Sequence, residues 1–115
     1  MKILFDQGTP RPLKQYLHPH TVDIALLLGW SELENGALIE SAEAAGFDLI
    51  VTTDQNIRYQ QNLANRKIAI IVLMHTDWPS VIEPDVHLVL DAVAKVTPNA
   101  FIEVTFPKKP RKLAS

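Results

Sequence analysis

A small α/β protein built on a mainly parallel sheet, a three-layer α/β/α sandwich, is the fold class that three observations predict. Short runs rich in Ile, Leu and Val alternate along the chain with segments of helical periodicity. The run Ile68-Ala69-Ile70-Ile71-Val72-Leu73 is apolar without alternation, as expected of a central parallel strand covered on both faces. Two apolar runs, Ile3-Leu4-Phe5-Asp6 and Ile50-Val51-Thr52-Thr53-Asp54, end abruptly on an aspartate. In an open parallel sheet this pattern gathers carboxylates at one edge, the usual place for a site.

Residues 2–6 read as the first buried strand, punctuated by Gly8 and Pro10. Pro10 and Pro12 suit the first turn of a helix through Leu13, Tyr16 and Leu17, which His18-Pro19-His20 closes. Thr21 to Leu26 reads either as a second strand or, continuing into Leu27 and Leu28, as helix; Gly29-Trp30-Ser31 marks a turn. From Glu34 to Ala45, Leu38, Ala42 and Ala45 share one helical face, with Gly46 as the stop. Phe47 to Val51 is the next strand, favoured by its β-branched residues. Asn56 to Leu63 reads as a short polar helix, and residues 67–73 as the clearest strand. Pro79 opens a last helix with Val81, Ile82, Val86, Val89, Leu90 and Val93 at helical spacing, in which Pro84 is early enough either to be tolerated or to mark a kink. Ala100 to Phe106 alternates like an edge strand.

The 115-residue chain has room for one core and not two. Residues 1–106 are expected to form a single domain, and residues 107–115, with the basic run KKPRK, a flexible tail. A net charge of −2 and a pI near 6.0 provide no bulk attraction for nucleic acid, so a polyanion needs a local basic patch or bound metal. The absence of cysteine excludes disulfides, zinc–thiolate sites and thiol catalysis. No apolar run approaches membrane-span length and the first residues are too short for a signal peptide, so the expected setting is cytoplasmic, without membrane.

Asp6 and Asp54 are the candidate site. Like charges brought close repel unless a cation neutralises them. Mg²⁺ or Mn²⁺ does so while keeping several water ligands, and can activate a water and stabilise charge on a phosphate oxygen. Asn56 offers a neutral oxygen ligand, Glu34 and Asn35 start the middle helix at a place from which they can reach the same edge, and Thr52 and Thr53 can orient Asp54. The plainer alternative is that each aspartate caps a helix.

These residues resemble a family. Strand-Asp (ILFD), a helix opening on polar or acidic residues (ENGALIESAEAAG) and a strand ending in VTTDQN look like the PIN-like superfamily. Within it they are similar to compact PIN-like proteins related to the Mut7 C-terminal nuclease domain. The resemblance spans about residues 1–75 and is most specific in ILFDQGTP and TTDQNIRYQQNL. It implies a divalent-metal-dependent ribonuclease of toxin–antitoxin type that hydrolyses RNA phosphodiesters with metal-activated water. It also implies a homodimer and a cognate antitoxin. On this reading Asp6 and Asp54 are the strand acids, and Asn35 or Glu34 stands at the middle-helix position. Catalysis would rest on Asp6, Asp54 and Asn56, and the metal on Asp6, Asp54, Glu34 and Asn35. Family nucleases usually present three or four acids, whereas Asn35 and Asn56 stand at two of the places here. Glu32 and Asp77 are further candidates for a third ligand. A non-catalytic PIN-like module binding protein or RNA is the alternative that the thin acid set motivates.

Among the remaining candidates, Arg58, Arg66 and Lys67 are expected close to the Asp6–Asp54 site, where they can contact RNA phosphates, or simply form a solvated face. Tyr59 can stack on a base or flank a packed face. His18 and His20 read as surface residues, and Asp77 as the cap of the Pro79 helix. Trp30 and Trp78 lie at turns, belonging either to a partner surface or to the core. A phosphorelay receiver or haloacid-dehalogenase-type phosphatase is disfavoured by Gln7-Gly8 after Asp6, and glycine patterns for nucleotide binding are absent.

Overall fold

Period-two alternation of side chains sends Ile3 and Phe5 of β1 (Lys2–Phe5) to one face of a sheet and Leu4 to the other, and both sets are buried. The computed structural model describes residues 1–57 and 66–107. After β1 come a 3₁₀ helix (Arg11–Tyr16), β2 (Thr21–Ile24), a second 3₁₀ turn (Ala25–Leu28), α1 (Asn35–Ala44), β3 (Leu49–Thr52) and β4 (Ala69–Leu73). A π-helical turn (Trp78–Ile82), a 3₁₀ turn (Glu83–Asp85), α2 (Val86–Ala94) and β5 (Phe101–Val104) complete the described chain. The five strands form one parallel sheet in the order β2-β1-β3-β4-β5, with Phe5 opposite both Ile24 and Val51, and Val51 opposite Ile71.

Every residue of β3 and β4 is buried, which explains their apolar, non-alternating sequence. One core group joins Ile3, Phe5, Val51 and Ile71 to Leu13, Leu17, Val89 and Val93. The other joins Leu4, Ile50, Ile70 and Val72 to Leu38, Ile39 and Ala42 of α1, together with Ile57. Gly46 at φ +86° stops α1, in the left-handed conformation that glycine adopts without a Cβ penalty. The α/β class and the parallel sheet agree with the sequence expectation.

Three elements differ from the sequence reading, each for a local reason. The Pro10–Pro12 segment forms a tighter 3₁₀ helix, with Leu13 N donating to Pro10 O at 3.2 Å and no side-chain cap at its start. The ambiguous Thr21–Leu28 stretch is both things in turn: Thr21–Ile24 pairs with β1, and the chain then coils through Ala25–Leu28 to Gly29 at φ +79°. The last helix is broken into π, 3₁₀ and α turns, because Pro84 has no N–H for the ladder and regular α geometry starts only at Val86. Asp77 does cap that segment, accepting from Ser80 N at 3.1 Å. Beyond Ile57, the expected Asn56–Leu63 helix lies outside the described residues, as does the KKPRK run. Among the described residues, no helix is long and apolar enough to cross a membrane.

Candidate active site at the carboxyl edge

From β1 the chain moves outward to β2 on one side and later returns to β3 on the other, so β1 and β3 flank the point where the strand order switches direction. Asp6 follows the last residue of β1, and Asp54 lies two residues past β3. The parallel register therefore brings both to the carboxyl edge of adjacent strands, as the sequence pattern implies.

Thr52 links the two. Its hydroxyl is fully buried, donates to Asp6 Oδ2 at 2.8 Å and accepts from the Asp54 backbone N–H at 3.0 Å. Asp6 Oδ1 accepts from Gln7 N at 2.8 Å, and Asp6 N extends the ladder to Val51 O at 2.9 Å. Asp54 Oδ1 accepts from Asn56 N at 2.9 Å, and Asp54 Oδ2 from Asn35 Nδ2 at 2.8 Å. One oxygen of Asp54 thus closes a local turn onto Asn56 N, and the other is turned to Asn35. Burial pushes the Asp6 carboxyl above its usual range; the Thr52 and Gln7 hydrogen bonds pull it back, and the Asp54 charge raises it again.

The loop after Asp6 is held by two residues to which the sequence reading assigned no such role. Thr9 is buried, donating its N–H to Asp6 O at 3.1 Å and its hydroxyl to Val51 O at 2.9 Å. Gly8 has φ +91°, and a Cβ there would lie 3.0 Å from Thr53 Oγ1. A glycine two residues past a strand-ending acid was the available signal.

Other expected site residues are placed differently. Asn35, the first residue of α1, touches Asp54, whereas Glu34 before it is exposed and caps α1 without a side-chain bond. Glu32 is exposed, and Asp77 is engaged with Ser80. Among the described residues, no three His, Asp or Glu side chains gather in a way that could hold a metal, so Glu34, Glu32 and Asp77 do not complete an acid cluster. Asn56 contributes through its backbone N–H. Arg66 does not border the acids. It precedes β4, at the amino edge, and its guanidinium pairs with Glu43 at 3.3 Å. A strand of five residues, roughly 16 Å, separates that edge from Asp54. Arg58 and Tyr59 lie outside the described residues.

Among the described residues, each carboxylate oxygen of the pair accepts one protein hydrogen bond. Mg²⁺ is commonly bound through one or two carboxylates plus waters and phosphate oxygens. Asn35 and Thr52 fix the orientations of the two carboxylates, which are the ligand type such a cation takes. No protein-family model matches this chain, and no curated protein or solved structure shows significant similarity to it.

Proposed function

We propose that the protein is a PIN-like, three-layer α/β/α ribonuclease of toxin–antitoxin type, in which Asp6 and Asp54 seat one Mg²⁺ or Mn²⁺ for RNA phosphodiester hydrolysis. The carrying observation is a contrast between the two sheet edges. At the amino edge, Glu43 meets Arg66. At the carboxyl edge, every described donor to Asp6 and Asp54 is neutral: two backbone N–H groups, a hydroxyl and an amide. A half-buried like-charge pair without a cation is costly, and a divalent ion relieves that cost. When bound, the ion supplies Lewis acidity toward phosphate and lowers the pKa of water. The chain's part is to hold the two carboxylates through Thr52 and Asn35, and to keep the loop after β1 in place through Gly8 and Thr9.

The test is cleavage of single-stranded RNA by wild type, Asp6→Asn and Asp54→Asn in Mn²⁺, with thermal midpoints measured alongside. Expected are loss of cleavage in both variants, and a Mn²⁺-dependent rise in midpoint that Asp6→Asn removes. The variant should also remove the linkage of Asp6. Its folded pKa lies above the ordinary 3.8, so its contribution is full below that value and lost as pH rises through the folded pKa. Asp6→Asn is therefore expected to keep or raise stability at neutral pH while losing activity. Undiminished cleavage by both variants overturns the proposal.

A second reading, a non-catalytic PIN-like module binding protein or RNA, is favoured by the acid set of two among the described residues. An unchanged midpoint in millimolar Mn²⁺ selects it. A cytoplasmic setting, a homodimer and a cognate antitoxin belong to the leading proposal. A run of apolar surface suited to such partners is Leu26, Leu27 and Leu28, exposed by 47%, 70% and 42%.

A further inference from the structure

The 3₁₀ helix Arg11–Tyr16 and the start of β2 enclose a cleft of about 580 Å³. Arg11, Lys14, His18 and His20 line it together with Gln15, and among the described residues no acidic one does. In a chain of net charge −2 this is a local reversal of sign. A second hollow of about 210 Å³ shares His18 and His20 and has Tyr16 on its wall. The Tyr16 ring packs at 57° on Trp78, its hydroxyl donates to Glu83 at 2.9 Å, and the residue remains 36% exposed. His20 Nδ1 lies 2.9 Å from the Met1 amino nitrogen.

The position of this surface matters as much as its charge. Arg11 begins the helix directly after the Asp6–Pro10 loop, whose Thr9 is bonded to Asp6 O and Val51 O at the carboxyl edge. Thr21, after His20, pairs with Lys2 at the amino edge. Arg11 and Lys14 therefore lie on the segment that crosses from the carboxyl edge of β1 to the amino edge of β2. The 3₁₀ segment alone covers roughly 12 Å at about 2 Å per residue.

We propose that this cleft is the track on which a single-stranded RNA backbone approaches the Asp6–Asp54 site, with Arg11 and Lys14 on phosphates and Tyr16 offering its ring to a base. The proposal rests on the ribonuclease reading above. A cationic groove joined to an exposed aromatic ring is the arrangement that binds single strands without sequence preference, and an acidic peptide has no use for the ring. The track also supplies the cations that Arg66, held by Glu43 at the other edge, does not.

Fluorescence anisotropy with a labelled single-stranded oligoribonucleotide, in EDTA and in an Asp6→Asn background, separates binding from cleavage. Reversing two charges (Arg11→Glu with Lys14→Glu) is expected to weaken binding at least about tenfold. It should also reduce the slope of log affinity against log salt by about 1.4, since each single-strand phosphate contact contributes about 0.7. Both side chains are exposed, so the fold should survive, as circular dichroism will check. Lys95→Glu, in the hollow beside β5, serves as the control and should change neither quantity. Unchanged affinity and salt slope in the folded double variant overturn the track. So does equal competition by polyglutamate, which would assign the cleft to an acidic protein. The outcome is separable from the catalytic proposal: Asp6-dependent cleavage with cleft-independent binding removes only the track, and cleft-dependent binding with Asp6-independent cleavage removes only the metal site.

Discussion

Thr52 is the residue on which the geometry of both acids depends, because one buried hydroxyl donates to Asp6 and accepts from the backbone of Asp54. Replacing it by Val keeps the β-branched shape that suits a strand but leaves the Asp54 N–H without its acceptor and Asp6 Oδ2 without its donor. Thr52→Val is expected to cost about 1–3 kcal/mol in urea denaturation and to raise the Asp6 carboxyl further, while Thr52→Ser retains most of both. At this scale the sequence was informative about residue types. Asp6, Asp54 and Asn35 are where the strand-ending pattern and the helix start put them, and Asp54 reaches Asn35. It was uninformative about neighbours in space. Glu34 and Asn35 are adjacent in the chain, yet only the amide of Asn35 meets Asp54, and Arg66 meets Glu43 instead of the site.

Among elements, α1 and the sheet are stitched at the amino edge. Lys2 Nζ donates to Ala45 O at 2.8 Å and lies 4.4 Å from the Phe47 ring centroid, placing a cation at the carboxyl end of α1. Glu43 in the last turn of α1 accepts from Lys67 N at 2.7 Å and Ile68 N at 3.1 Å. These hydrogen bonds, with Arg66 as a further partner, hold the Glu43 carboxyl below its ordinary 4.5. The stabilisation is present above the unfolded pKa and lost as pH falls through the folded one. Glu43→Gln is therefore expected to flatten the acid limb of the stability curve in denaturant titrations between neutral pH and pH 3. Unaltered acid sensitivity would contradict the role given to Glu43. Where element type escaped the sequence reading, proline was the reason. Pro10, Pro12 and Pro84 each allow a helical start but remove ladder donors, so 3₁₀ and π turns replace the expected regular helices.

For the whole molecule, the order β2-β1-β3-β4-β5 makes β2 and β5 the edges and leaves the 3₁₀ turn after β2 with three exposed leucines. Both tryptophans, by contrast, are packed, Trp30 edge-on against Phe47 at 6.1 Å and Trp78 against Tyr16 at 5.7 Å. Adjacent exposed leucines are the better candidate for a surface shared between copies. Sedimentation velocity should show a dimer that Leu27→Lys converts to monomer with the fold retained; a monomeric wild type across the micromolar range excludes the homodimer.

The sequence by itself determined the α/β class, because strand burial on both faces and helix burial on one leave different periodicities in composition. It also determined that two strands end on aspartates, since apolar runs have visible ends. Only the tertiary structure decided that those strands are neighbours, that a threonine hydroxyl joins their acids, and that Arg11 and Lys14 share a cleft with the start of β2. Periodicity records which face of an element meets the core, whereas adjacency follows from the order in which strands pair, and nothing local in the chain encodes that order.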